Sequence, residues 1–164
     1  MRFAVLVAAL GLPGMVAAAG CEGAVILSCP VGGSEKYLDV CAGPGGFSYV
    51  FGPDGAPEIA LVAPYESGPV TPWSGVGRSI WSSVQFLNAD YAYEAWLSVD
   101  RLSEEQALEG GVMVLAMPAE EVIAEVTCRP GEVAGDLFGL EDAMAQAGYC
   151  WDLEVFAWRA GGCP

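Results

Sequence analysis

The stretch Ser79-Ile80-Trp81-Ser82-Ser83-Val84-Gln85-Phe86-Leu87 is followed by Asn88-Ala89-Asp90 and then by Tyr91-Ala92-Tyr93-Glu94-Ala95-Trp96-Leu97-Ser98-Val99. Successive side chains of a strand point to opposite faces, so Ile80, Val84 and Phe86, with Ser82 among them, share one face of the first run. Tyr91, Tyr93, Ala95, Leu97 and Val99 share one face of the second. Two alternating runs separated by a short turn rich in Asn and Asp predict an antiparallel hairpin.

The neighbouring segments extend the same pattern. Short strands are expected at 24–27, 36–41, 47–51 and 58–62, separated by Gly- and Pro-rich breaks. Gly52-Pro53-Asp54-Gly55 is a turn because Pro presets the backbone and Gly tolerates positive φ. These four strands predict a meander. Residues 63–77 carry Pro64, Pro69 and Pro72 with Gly68, Gly75 and Gly77, and read either as a functional loop or as a crossover between two halves of the fold.

Beyond the hairpin, the acidic segment 100–109 is expected to form a helical turn capped by Ser103. Residues 112–117 read as a buried strand, and in 120–128 Val122, Ala124 and Val126 alternate. The expected fold is therefore mainly β, a small antiparallel barrel or sandwich of about eight strands. After Arg129-Pro130-Gly131 the period changes. Leu137, Leu140, Met144 and Ala147 fall at helical spacing, with Asp136 as cap and Gly148 as stop. The expected organisation is an antiparallel β domain at 20–130 and a short helical, disulfide-closed C-terminal appendage of the same domain at 131–164.

Composition narrows the function. The 164 residues include 21 Asp plus Glu, 6 Lys plus Arg and no histidine, a net charge of −15. Without histidine there is no Ser-His-Asp or Cys-His nucleophile and no imidazole metal ligand. One lysine and so strong an acidic excess argue against nucleic acid as a partner, because phosphate affinity comes from Lys and Arg.

Residues 1–19 read as a signal peptide: Met1-Arg2, an apolar run from Phe3, and Ala17-Ala18-Ala19 as the cleavage site. No transmembrane segment is expected. Cleavage would remove Arg2 and leave a periplasmic or secreted product more acidic than its precursor. Ala18-Ala19-Gly20-Cys21 is also a partial lipobox, so a lipid anchor at Cys21 is the competing expectation. Parity favours the soluble form, since Cys21, Cys29, Cys41, Cys128, Cys150 and Cys163 can form three bridges only if Cys21 keeps its thiol. Cys150 is expected to pair with Cys163, and the other four among themselves.

The remaining chemistry is sparse. Carboxylates are abundant, yet Asp90 with Glu94, or Glu104 with Glu105, show no signature of a catalytic pair beyond acidity. Segments 52–58 and 88–94 lack the spacing of a calcium loop. No metal site and no cofactor are expected. The five tryptophans form either a binding patch or core. Those on alternating strands are expected in the core, and Trp73, in the Pro-rich loop, is expected to be the exposed one.

The cysteine-bounded start (Cys21, Cys29, Cys41), the strand Phe47-Ser48-Tyr49-Val50-Phe51-Gly52, and Ser74-Gly75-Val76-Gly77 leading into Phe86-Leu87-Asn88-Ala89-Asp90-Tyr91-Ala92-Tyr93 resemble a group of small secreted bacterial proteins. That group is similar in size and strand pattern to the periplasmic lysozyme inhibitors, which are antiparallel β-barrels. The resemblance covers about residues 21–128. It implies binding through a loop carrying Ser-Gly-x-x-Tyr, matched here by Ser74 and Gly75, with Arg78 in place of the tyrosine. The candidate binding residues are accordingly Trp73, Ser74 and Gly75. A highly acidic chain is also steered toward cationic partners. The expected function is an exported, non-enzymatic binding protein, an inhibitor of a cationic hydrolase such as lysozyme. The alternatives are a structural envelope protein or lipoprotein and a carboxylate-dependent hydrolase.

Overall fold

The structure is a computed structural model that describes residues 21–161. The expected signal peptide at 1–19 and Cys163 lie outside the described residues. Strands β1 (Ala24–Pro30), β2 (Lys36–Gly43), β3 (Gly46–Pro53) and β4 (Ile59–Ala63) form the expected meander. A 3-10 turn (Tyr65–Ser67) and β5 (Val70–Thr71) lead to β6 (Ser79–Asn88), β7 (Tyr91–Asp100), β8 (Leu108–Ala116) and β9 (Glu121–Thr127). The chain continues with β10 (Ala134–Gly135), helix α1 (Gly139–Gln146), β11 (Tyr149–Asp152) and β12 (Ala157–Ala160).

Two five-stranded antiparallel sheets result, ordered β10-β1-β2-β3-β4 and β5-β6-β7-β8-β9, with β11-β12 as a separate ribbon. Each sheet is a four-stranded meander with a two-residue strand at the outer side of its first strand. The arrangement is reciprocal: after each meander the chain crosses over and adds its short strand to the other sheet. Segment 63–77 is thus a crossover between the two halves of the fold.

The hairpin β6–β7 has the predicted alternation. Val84 pairs with Ala95 and Phe86 with Tyr93, and Val84, Phe86, Ala95 and Leu97 are buried. Asn88 pairs with Tyr91, so the turn is Ala89-Asp90, shorter than the three residues expected. Ala89 takes φ 52°, the positive value that this tight connection requires at its first central position.

The inner faces meet in one core. Leu27, Leu38, Phe47 and Tyr49 from the first sheet pack with Val84, Phe86, Leu97 and Val112 from the second. The Tyr49 ring lies 5.3 Å from that of Phe86 and 5.7 Å from that of Tyr93. The architecture is a sandwich rather than a closed barrel, although the sheets touch along one side. There Val31 bridges to Cys128, and the Gly32 N–H donates to the Thr127 carbonyl at 2.9 Å. The disulfide Cys29–Cys128 ties the same corner, and Cys21–Cys41 staples the segment preceding β1 to β2. The four cysteines expected to bridge among themselves do so. Cys150 is also disulfide-bonded; the expected pairing with Cys163 involves a residue outside the described set.

The helix begins two residues later than the Asp136 cap predicts. The Asp136 carboxylate instead accepts the Phe138 N–H in a local turn, and Phe138 occupies the cap position. Leu140, Ala143 and Met144 insert into the sandwich core, so the 131–161 segment is built into the domain. Segment 100–109 makes turns rather than a helix: the Ser103 hydroxyl donates to the Asp100 carbonyl and accepts the Gln106 N–H. The tail is a two-stranded ribbon whose Trp158 indole donates to the Val70 carbonyl at 2.7 Å.

Candidate functional site

The strand alternation that buries one face of β6, β7 and β8 turns the other face away from the core. Trp81, Ser83, Gln85 and Leu87 project there from β6, and Ser98, Trp96, Glu94 and Ala92 stand opposite them on β7. Across from these, β8 places Glu109, Gly111, Met113 and Leu115, and β9 places Thr127 and Glu125. Trp96 is central. Its indole rests on Gly111, where a Cβ would come within 3.0 Å of Cζ2 and 3.1 Å of Cε2, so the missing side chain makes room for the ring. Trp81 is 37% exposed and Trp96 half-buried.

Between them lies an apolar-walled groove of about 390 Å³, lined by Trp81, Trp96, Met113, Glu94 and Glu125 with serine hydroxyls at its margins. Ser83, 2% exposed, donates its hydroxyl to Glu94 Oε1 at 2.7 Å and fixes that carboxylate in place. A second concavity, about 440 Å³, lies between α1 and the open end of the β1–β2 hairpin, but much of its wall is backbone and small side chains. Its one aromatic, Tyr65, is tied by its hydroxyl to the Gly43 carbonyl at 2.8 Å. The groove on the second sheet is the better site because it combines aromatic surface with oriented, ionisable groups.

The electrostatics of the molecule are lopsided. Lys36 pairs with Glu58 at 2.7 Å, Arg78 with Asp100 at 2.6 Å, Arg159 with Asp152 at 2.6 Å and Arg129 with Glu132 at 4.0 Å. Arg101 lies over the Trp73 ring, 5.4 Å from its centroid. Every basic side chain among the described residues is therefore engaged. Glu94, Glu109 and Glu125 have no ionic partner among those residues.

The residues singled out in the sequence are placed differently from one another. Ser74 and Gly75 are exposed on the crossover. Trp73 is half-buried, its indole N–H donating to the Val76 carbonyl at 3.0 Å and one ring face covered by Arg101. The expectation that Trp73 is the exposed tryptophan and that strand tryptophans are core is thus reversed for Trp81. The signal was present in the alternation: Trp81 is out of phase with Ile80, Val84 and Phe86, and Trp96 is flanked at two-residue spacing by Glu94 and Ser98.

Beside Trp73, Glu141 on α1 is unusual. Burial pushes its carboxyl up to about 7 from an ordinary 4.5. The backbone N–H groups of Glu141 and Trp73 partly offset this, and Asp142 and Asp136 add to it. Its Oε2 is buried without a hydrogen-bond partner. On the outer face of the first sheet, Asp39 is also raised, by burial first, while the Ser28 hydroxyl donates to it at 2.6 Å and acts in the opposite sense. Glu141 and Asp39 lie on α1 and β2, and neither lines the groove. No family model matches the chain, and no curated protein or solved structure matches it.

Proposed function

We propose that this chain is an exported, non-enzymatic binding protein whose partner is a cationic protein, with a cationic hydrolase such as a lysozyme as the leading candidate. The observation that carries the reading is the charge imbalance: every described basic residue already has a carboxylate or an aromatic ring against it, and most carboxylates have no such partner. An uncompensated acidic surface accelerates encounter with a cationic partner and gains by neutralisation on docking.

Export is supported by the disulfides, which form and persist in oxidising compartments. No helix among the described residues is long and apolar enough to cross a membrane. The sulfur of Cys21 is bonded to Cys41, and a sulfur held in a disulfide cannot carry a thioether-linked lipid, which supports cleavage to a soluble product over a lipid anchor. Ser74 and Gly75 sit exposed, where a loop able to enter an enzyme cleft would need them.

Binding to a cationic lysozyme, measured calorimetrically alongside its inhibition, tests the reading. The expected result is tight binding at low ionic strength that weakens steeply as salt is raised, with inhibition in parallel. Absence of binding at low salt to lysozyme and to other strongly basic proteins overturns it.

A further inference from the structure

The groove on the second sheet has a more specific chemistry than general acidity. The geometry points to an arginine side chain of a cationic partner as the group this groove receives, an inference that rests on the partner being cationic. Four observations converge on it. The walls are two indoles and a thioether, surfaces on which a planar, weakly hydrated guanidinium stacks well. Glu94 and Glu125 border the same space, and Glu94 is held in orientation by Ser83 at 2.7 Å, ready to accept guanidinium N–H groups.

No cation of the described chain is available to fill the groove, because all five are engaged elsewhere. The protein also makes this contact internally, with the Arg101 guanidinium over Trp73 at 5.4 Å. A neutral saccharide also stacks on indoles. It would, however, cover two carboxylates without neutralising them, and burying an uncompensated charge is costly. At about 390 Å³ the groove is near the small end of ligand sites, a size suited to one side chain rather than to a long oligomer.

The disulfide-bonded protein is titrated with hexa-arginine, hexa-lysine and a neutral N-acetylglucosamine tetrasaccharide, with tryptophan fluorescence and calorimetry as readouts. Hexa-arginine is expected to bind about tenfold more tightly than hexa-lysine. Trp96→Ala and Trp81→Ala each weaken it about tenfold, and both bring it toward the hexa-lysine level. Glu125→Gln, on an exposed strand position where loss of folding is not a concern, weakens it by a smaller factor. Tyr37→Ala, on the first sheet, leaves it unchanged.

Full retention of hexa-arginine affinity in Trp96→Ala, Trp81→Ala and Glu125→Gln overturns the groove while leaving an acidic binding surface elsewhere. Equal affinity for the two peptides overturns the guanidinium preference. Failure of both peptides to bind overturns the cationic partner as well, and saccharide binding that is lost in Trp96→Ala reassigns the groove to a glycan.

Discussion

Single residues on this scaffold differ mainly in which side of a strand they occupy. Trp81 and Trp96 belong to the solvent side of their hairpin, whereas Trp73 is held down by Arg101 over its ring, by its indole N–H on the Val76 carbonyl and by its backbone N–H on the Glu141 carboxyl. Glu141 itself gives a pH dependence whose sign follows from its burial. Its native carboxyl titrates near 7 and its unfolded form near 4.5, so between those values the native state holds a proton that the unfolded chain releases. The stability this contributes is complete below about 4.5, falls as pH rises toward 7, and is gone above. Glu141→Gln removes the titrating group. Its melting temperature is expected to match that of the parent near pH 4 and to exceed it at pH 8. The corresponding difference in unfolding free energy at pH 8 should be about 1–2 kcal/mol once the screening of a partly exposed group is allowed for. Parallel melting curves across that range would show that Glu141 is not so perturbed.

Among the elements, those that could be read from the sequence were those whose burial is one-sided. The hairpin β6–β7 and the meander β1–β4 announce themselves by alternation, since one face must be apolar and the other is free. The two-residue strands β5 and β10 carry no such period; their position comes from partners more than ten residues away, Val84 and Leu27 among them. The helix was legible through Leu140 and Met144, but its start was not, because Asp136 serves a turn rather than the cap. The groove was written in the alternation of Trp81 and Trp96. What was missing was the register that sets Gly111 under the Trp96 ring.

Register also fixes where the sheets are joined, and the two described disulfides should contribute unequally. Cys29 and Cys128 are 99 residues apart and Cys21 and Cys41 only 20. Chain entropy assigns about 4–5 kcal/mol to the longer closure and about 3 kcal/mol to the shorter. Urea unfolding should show a larger loss for Cys29→Ala with Cys128→Ala than for Cys21→Ala with Cys41→Ala. The reverse order would mean that native contacts at the Val31–Cys128 bridge, not closure entropy, hold that corner.

At the scale of the whole molecule, two reciprocal meanders make a scaffold with two broad outer faces, and the acidic excess has no spare cation beside it among the described residues. Self-repulsion of this kind opposes the compact state and is relieved by counter-ions within a Debye length of about 10 Å at 0.1 M salt. The same screening weakens attraction to a cationic partner. Raising salt should therefore move two measurements in opposite directions. The melting temperature of the free protein should climb, by about 2–4 °C for each kcal/mol of repulsion removed at this size, while affinity for a basic protein should fall. Differential scanning calorimetry and binding titrations over one salt series provide both curves. If the melting temperature is flat while binding weakens, the charge is concentrated at one docking surface rather than distributed. A rising melting temperature with salt-independent binding would instead assign recognition to apolar contact in the Trp81–Trp96 groove, with the surrounding carboxylates reduced to a solvating role.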